Sequence, residues 1–174
     1  TSSQDYPSSL MGSIALLRQT FYDAQWYAKG GSMEEENSSL AALNKELSLP
    51  QIFQVDNDLS VLRADKVGDE FGIQFIIKGA GDEYQRLNEI KSTGASLIIP
   101  INFPKPYNVT DPYDADIIPL SALMNWEQAP ANLARISGAG INFCITQEGC
   151  SANDFWKNLR KAIEYGLTKT DALK

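Results

Sequence analysis

Two runs decide the fold class of this chain: Ile73-Gln74-Phe75-Ile76-Ile77-Lys78-Gly79 and, further on, Ser96-Leu97-Ile98-Ile99-Pro100-Ile101. Each is apolar and rich in β-branched residues, too short for a core helix, and bounded by Gly, Pro or Asn, so each predicts a strand. Between them Tyr84, Leu87 and Ile90 recur at the three-residue spacing of one helix face. A strand, a helix and a second strand in such close succession predict parallel strands joined by a right-handed crossover. The unbroken apolar triplets Phe75-Ile76-Ile77 and Leu97-Ile98-Ile99 predict burial on both faces of the sheet.

Working outward, Gln51–Val55 and Ile141–Thr146 read as two more strands of the same kind. Val61, Ala64 and Phe71 mark one intervening helix. Trp126, Ala129, Leu133 and Ile136 mark another, expected to run unbroken until Gly138 and Gly140. Ser151 is a good N-cap for a last helix carrying Phe155, Leu159 and Ile163, with Asp154 in its first turn. Residues 49–174 therefore read as α/β, a parallel four-stranded sheet of βα units. The preceding segment, 1–48, reads as helical. Leu10, Ile14, Leu17, Phe21 and Ala24 form one face behind the start signals Pro7 and Ser8, Gly30–Gly31 ends that helix, and a second is expected over Leu40 to Leu47. Glu34, Glu35 and Glu36 read as a solvated loop. The stretch Asn102 to Pro119, rich in Pro, Tyr and Asp, reads as a long loop, a lid or contact surface. Tyr107, Tyr113 and Phe103 in it either stack on a ligand or pack the loop itself.

Composition narrows the function. Of 174 residues 43% are hydrophobic and 21% charged, as in an ordinary globular protein, and the length fits one compact domain. A net charge of -7 disfavours nucleic acid and anionic membranes as partners, and no apolar run is long enough for a transmembrane segment. There is no histidine anywhere in the chain. That excludes Ser–His–Asp and Cys–His catalysis and every His-based zinc or iron site. Cys144 and Cys150 cannot build a structural zinc site by themselves, and whether they are bridged is open at this point. Asn37-Ser38-Ser39 and Asn108-Val109-Thr110 are glycosylation sequons, relevant only in a eukaryotic secretory setting.

Ligands of parallel α/β folds sit beyond the carboxyl ends of the strands. The polar residues expected there are Gln54, Asp56, Lys78, Asn102, Gln147 and Glu148, the candidate ligand-binding set for a small molecule. Asp56 with Lys78 would make an ion pair, or a general base beside an electrostatic clamp. Alternatively Asp56 and Asn57 cap the next helix and Lys78 is solvated. Asp56 with Glu148 would be a carboxylate pair only if the two lie close together. The turn Gly79-Ala80-Gly81 suggests anion binding, yet it matches neither the dinucleotide nor the Walker pattern. A tight strand-to-helix turn explains it better.

The order of these segments resembles the amidohydrolase superfamily, in particular its imidazolonepropionase-like branch. Leu49 to Gly79 is similar to a barrel passage in which a strand precedes a helix ending Asp-Glu-Phe-Gly, here Asp69 to Gly72, and a Gly-x-x-x-Tyr helix start follows, ending here at Tyr84. Trp126 to Thr146 resembles a passage of the form Ala-Pro-x-x-Leu … Gly-Ala-Gly-Ile leading into the last barrel strand. Phe155 to Lys174 resembles Asn-Leu-Arg-Lys-Ala-Ile … Gly-Leu-Thr … Asp-Ala-Leu. The likeness covers 49–174, and the first third is similar only to a helical insertion.

Such enzymes hydrolyse non-peptide carbon–nitrogen bonds, of cyclic amides and imidazolones, with water activated on zinc or another divalent metal. The resemblance places metal-binding histidines where this chain has Gln54-Val55-Asp56 and Gly79, and a metal-binding Asp where it has Gln147. The His-x-His pair of the first barrel strand has no counterpart. It therefore implies a degenerate segment with no catalytic residues, no metal ligands and no cofactor of its own. Four strands are half of an eight-stranded barrel, which leaves two raw edges. The expectation is a TIM-barrel fragment of a larger protein whose partners are the remainder of the parent chain or another subunit. A small-molecule or protein-binding module with its pocket at the strand ends is the alternative. Bacterial relatives of this type are often exported, and the periplasm is expected on that resemblance alone.

Overall fold

The computed structural model describes residues 7–173. The first six residues of the expected helical segment 1–48, and the last residue of 49–174, lie outside them. Two helices lead. α1, Leu10–Ala28, is capped by Ser9, whose hydroxyl accepts from the Gly12 amide, and α2, Ser38–Glu46, is capped by the Asn37 side chain. Between them lies a 3-10 turn, Gly31–Met33, and the Tyr27 hydroxyl accepts from the Asn37 amide at 3.2 Å, folding the loop back onto α1. α1 is no separate body. Its Phe21, buried, packs against Phe71 in a tilted arrangement at 5.0 Å between ring centroids, and Arg18 pairs with Glu70.

The rest alternates as the sequence predicts. β1 (Ile52–Gln54) is followed by α3 (Asp58–Phe71), and β2 (Ile76–Lys78) by a 3-10 turn (Glu83–Arg86) that runs into α4 (Leu87–Thr93). β3 (Leu97–Pro100) is followed by α5 (Pro112–Ile117), α6 (Leu120–Gln128) and α7 (Asn132–Ala139). β4 (Phe143–Thr146) and α8 (Ala152–Glu164) complete the order. All pairings are parallel, and the strands lie side by side in chain order, β1-β2-β3-β4. The architecture is α/β, a four-stranded part of a TIM-barrel-like arrangement. No helix of the described residues is long and apolar enough to cross a membrane.

Three expectations are corrected. The apolar strands are not buried on both faces. The register Phe53↔Ile77↔Leu97↔Phe143 defines one row, in which Ile77 and Leu97 are 0% and 1% exposed beneath the helices. The opposite row, Gln54↔Lys78↔Ile98↔Cys144, runs from exposed Gln54 through half-buried Lys78 and Ile98 to exposed Cys144. Helices cover one side of the sheet and leave the other open, so alternation returns. Second, the helix expected across Trp126 to Ile136 is broken into α6, a 3-10 turn at Ala129–Ala131, and α7. Pro130 lacks the N–H an unbroken helix needs. Third, the loop Asn102 to Pro119 holds a helix of its own, α5, capped by Asp111 with Pro112 at its first position. Both cysteines are free.

The core lies between the covered sheet face and α3, α4, α7 and α8. Val61, Ile77, Ile90, Leu97, Leu133 and Ile136 are all at most 1% exposed. At roughly 25 cal/mol per Å² of apolar surface, burying each such side chain stabilises the fold by about 1.5–3 kcal/mol before chain entropy is counted. Gly72 and Gly140, both with φ near +70°, end α3 and α7 and turn the chain into the strand that follows.

Candidate functional site

The carboxyl ends of the four strands rise at one end of the sheet, and the structure brings three of the six predicted residues together there. Lys78, last residue of β2, reaches across to β1, where its Nζ donates to Gln54 Oε1 at 3.3 Å. Its second partner is Glu148, from the turn after β4, in a short ion pair. The Lys78 side chain is 17% exposed and that of Glu148 54%, so the pair lies half in the sheet's open face and half in water. Lys78 is half-buried and paired, so the fully solvated alternative does not hold. The Asp56–Lys78 ion pair is not formed either, because Asp56 is turned toward α3. There its Oδ1 accepts from Asn57 Nδ2 at 3.0 Å and Ser60 Oγ at 3.1 Å, while the Asn57 side chain caps the helix through the Ser60 amide. Asp56 and Glu148 thus serve different partners.

Asn102 follows β3 and packs against the turn after β4. Gly149, at φ +79°, lies so near that a Cβ there would come within 2.6 Å of Asn102 Nδ2. Gln147 contributes its backbone carbonyl, which accepts from the Cys150 amide and thiol, while its side chain is exposed. The site is one cation held by one carboxylate and one amide, with Asn102 and Gln147 shaping the adjoining turn.

A second constellation was missed. The turn Gly79-Ala80-Gly81 does hold an anion, but an internal one. Glu83 is 0% exposed, and its Oε1 accepts the amides of Ala80 at 2.8 Å and Gly81 at 3.1 Å. Its Oε2 accepts from Asn132 Nδ2 at 2.6 Å, and Asn132 Oδ1 accepts the Tyr84 amide at 2.8 Å. A Cβ on Gly79 would collide with the Glu83 carboxylate, so glycine is required there by close approach. Successive amides that cradle an anion form a nest, and this nest is filled by the chain's own side chain. The available signal was a carboxylate two residues past Gly81; its partner from α7 was invisible locally.

Beside the nest, Arg86 pairs with Asp58 at 2.7 Å. Asp82 stands between these groups, with Oδ1 buried and without a hydrogen-bond partner among the described residues. Burial, then the neighbouring Glu83 charge, pushes its carboxyl up to about 6. Burial and then Asp82 raise the Tyr84 phenol. Among the described residues no group of three or more His, Cys, Asp or Glu is placed to hold a metal ion. A cavity of about 490 Å³ opens between α1, β1 and α3, and both Gln54 and Asp56 reach its wall.

The fold is a four-stranded parallel sheet covered by helices on one side, with the polar site at the carboxyl ends of its strands. No family model and no curated protein matches the chain. Among solved structures it is similar to an amidohydrolase of Thermotoga maritima MSB8, with a TM-score of 0.72 at 15% identity over 97% of this chain. The chain spans 43% of that protein's length. Its fold is amidohydrolase-like.

Proposed function

We propose that this chain is a non-catalytic, amidohydrolase-like segment of a larger protein, with an architectural role against the remainder of that protein or another subunit. The observation that carries the reading is the position of Lys78. Where the resembling enzymes would gather ligands for zinc or another divalent metal, this chain has an ammonium group bound to Glu148 and Gln54. A divalent cation needs anionic or imidazole donors. One carboxylate already neutralised by a lysine does not fit, and the chain contains no histidine. The open sheet face and the outer edges of β1 and β4, which pair with no strand among the described residues, support the architectural role.

The test is metal analysis after dialysis against zinc, with a hydrolysis screen over cyclic amides and imidazolones. Metal below stoichiometric level and no turnover are expected. Stoichiometric zinc, or turnover that disappears on Asp56→Ala, would overturn the reading.

A second reading is a small-molecule-binding module. The cavity that takes Gln54 and Asp56 into its wall favours it. Stabilisation by one ligand class in a thermal-shift screen, removed by Gln54→Ala in the cavity wall, would support that reading over the first.

A further inference from the structure

We propose that the cavity along β1 is a slot for one extended strand of a partner polypeptide, running parallel to β1, with apolar residues at alternate positions and an acidic residue at its carboxyl end. The inference rests on reading the chain as part of a larger assembly, and it names the surface and the chemistry of the partner.

The backbone supplies the first argument. β1 bonds to β2 through alternate residues: the Ile76 amide donates to the Gln51 carbonyl and the Val55 amide to the Lys78 carbonyl, each at 2.9 Å. In a parallel ladder the intervening residues turn their N–H and C=O to the opposite edge. Ile52 and Gln54 therefore offer their donors and acceptors where the described residues place no strand. Free main-chain groups beside apolar walls are what strand addition uses, the main chain giving affinity and alternate side-chain pockets giving specificity.

The walls supply the second argument. Leu10, Ile14 and Leu17 of α1 face Phe53, Ala64 and Val67 across the cavity, so the side above the edge is apolar and one row of an incoming strand would be buried there. The opposite row would lie on the open sheet face beside Ile52, which is 62% exposed. A volume of about 490 Å³ suits a short extended segment.

Charge supplies the third. The wall reaches Ser60 and Arg63 where β1 ends, and exposed Arg63 has no hydrogen bond or ion pair among the described residues. Asp56, at the same end, keeps its charge but is hydrogen-bonded to Asn57 and Ser60 and makes no ion pair with Arg63, which leaves the guanidinium available to an incoming carboxylate. A strand running parallel to β1 brings its carboxyl end to Arg63, which selects an acidic residue there.

The experiment titrates the 174-residue chain with a blocked Val-Thr alternating peptide ending in Glu, and with its Lys-ending twin, following Tm. The Glu peptide is expected to raise Tm saturably, by about 5 °C at a hundredfold excess over Kd, and the Lys peptide to bind about tenfold more weakly. Arg63→Gln should abolish that preference. Ile52→Pro removes a free-edge donor without touching the β1–β2 ladder, so it should keep the unliganded Tm within about 2 °C and lose the peptide response. An Ile52→Val control covers the case in which the proline variant fails to fold, and it should bind as wild type. No saturable shift, equal binding of both peptides, a proline variant that binds normally, an Ile52→Val variant that does not bind, or an equal shift from octanoate would each overturn the proposal. So would a concentration-dependent dimer blocked by the peptide, which would assign the edge to a second copy. None of these results bears on metal content or hydrolysis, which test the non-catalytic reading.

Discussion

Asn132, at the start of α7, closes the nest around Glu83: its Nδ2 donates to Glu83 Oε2 at 2.6 Å, and its Oδ1 accepts the Tyr84 amide at 2.8 Å. Both residues are at most 1% exposed, so neither group has water as a substitute partner. Removing one leaves the other unsatisfied. Glu83→Gln turns one acceptor into a donor facing another donor and should cost about 2–4 kcal/mol in urea unfolding. Asn132→Ala should cost about 2–3 kcal/mol for the same reason. The double variant should fall short of the sum by at least about 1 kcal/mol, since the partners share one interaction. Strict additivity would show that the contact contributes nothing specific.

Gly79 tests the same nest from the backbone side. A methyl group there meets the Glu83 carboxylate, which is fixed by three hydrogen bonds and cannot swing away. Gly79→Ala should therefore destabilise by about 2–3 kcal/mol. Gly72→Ala provides the contrast: φ is +69° but nothing lies within 4 Å of the added carbon, so only backbone strain of about 1 kcal/mol is expected. Chemical denaturation of both variants should rank them in that order.

Asp82 gives the fold a pH dependence opposite to that of a salt-bridged carboxylate. Its folded pKa is about 6 against 3.8 unfolded, so between these values the folded state holds more of the proton. Stability from this group is present at low pH and is lost as pH rises from about 4 through 6. With the side chain partly in contact with water, the loss is about 1–2 kcal/mol, below the full value of the shift. Asp82→Asn should be nearly neutral at pH 4 and stabilising at pH 7.5. The reading is the difference between variant and wild type across pH, because Glu70, held low by its hydrogen bond from Arg18, acts in the other direction. A difference that stays flat with pH would remove Asp82 as its source.

The four parallel strands and several helix starts were legible because they depend on short-range signals: β-branched triplets, Asn57 and Ser151 at N-caps, glycine at helix ends, whereas the first helix is capped by Ser9 and not by the expected Ser8. The exposed face of the sheet was not, because Phe75-Ile76-Ile77 reads the same whether Ile76 meets a second layer or open space. Pro130 did carry the signal that splits α6 from α7, and the apolar stripe from Trp126 to Ile136 concealed it. Of the candidate residues, Gln54, Lys78 and Glu148 do come together beyond the strand ends, but the contact of Lys78 with Glu148 in place of Asp56 was not legible. Asp56 sits next to a helix start, and its local hydrogen bonds to Asn57 and Ser60 prevail over a more distant charge. Glu83 was invisible for a different reason. A buried acid is permitted only by partners, and those partners are two backbone amides and a side chain from α7.

Lys78 and Glu148 give the last prediction, which follows from how exposed the pair is. Glu148 is more than half in water, so the pair's net contribution is small, about 0.5–1 kcal/mol, and screened by salt. Lys78→Met keeps the apolar stem against Ile98 on the open face and removes only the charge. Its cost should stay within about 1 kcal/mol and shrink further in 1 M NaCl. Lys78→Glu is a different matter, since it sets two carboxylates together beside the Gln54 amide oxygen. Like charges at that separation should cost about 1–2 kcal/mol more than the methionine variant, and part of it should be recovered in salt. The discriminating measurement is unfolding of the two variants at low and high ionic strength. If Met and Glu at this position prove equally stable at low salt, Glu148 does not reach Lys78 in solution, and the polar centre at the strand ends reduces to Lys78 and Gln54.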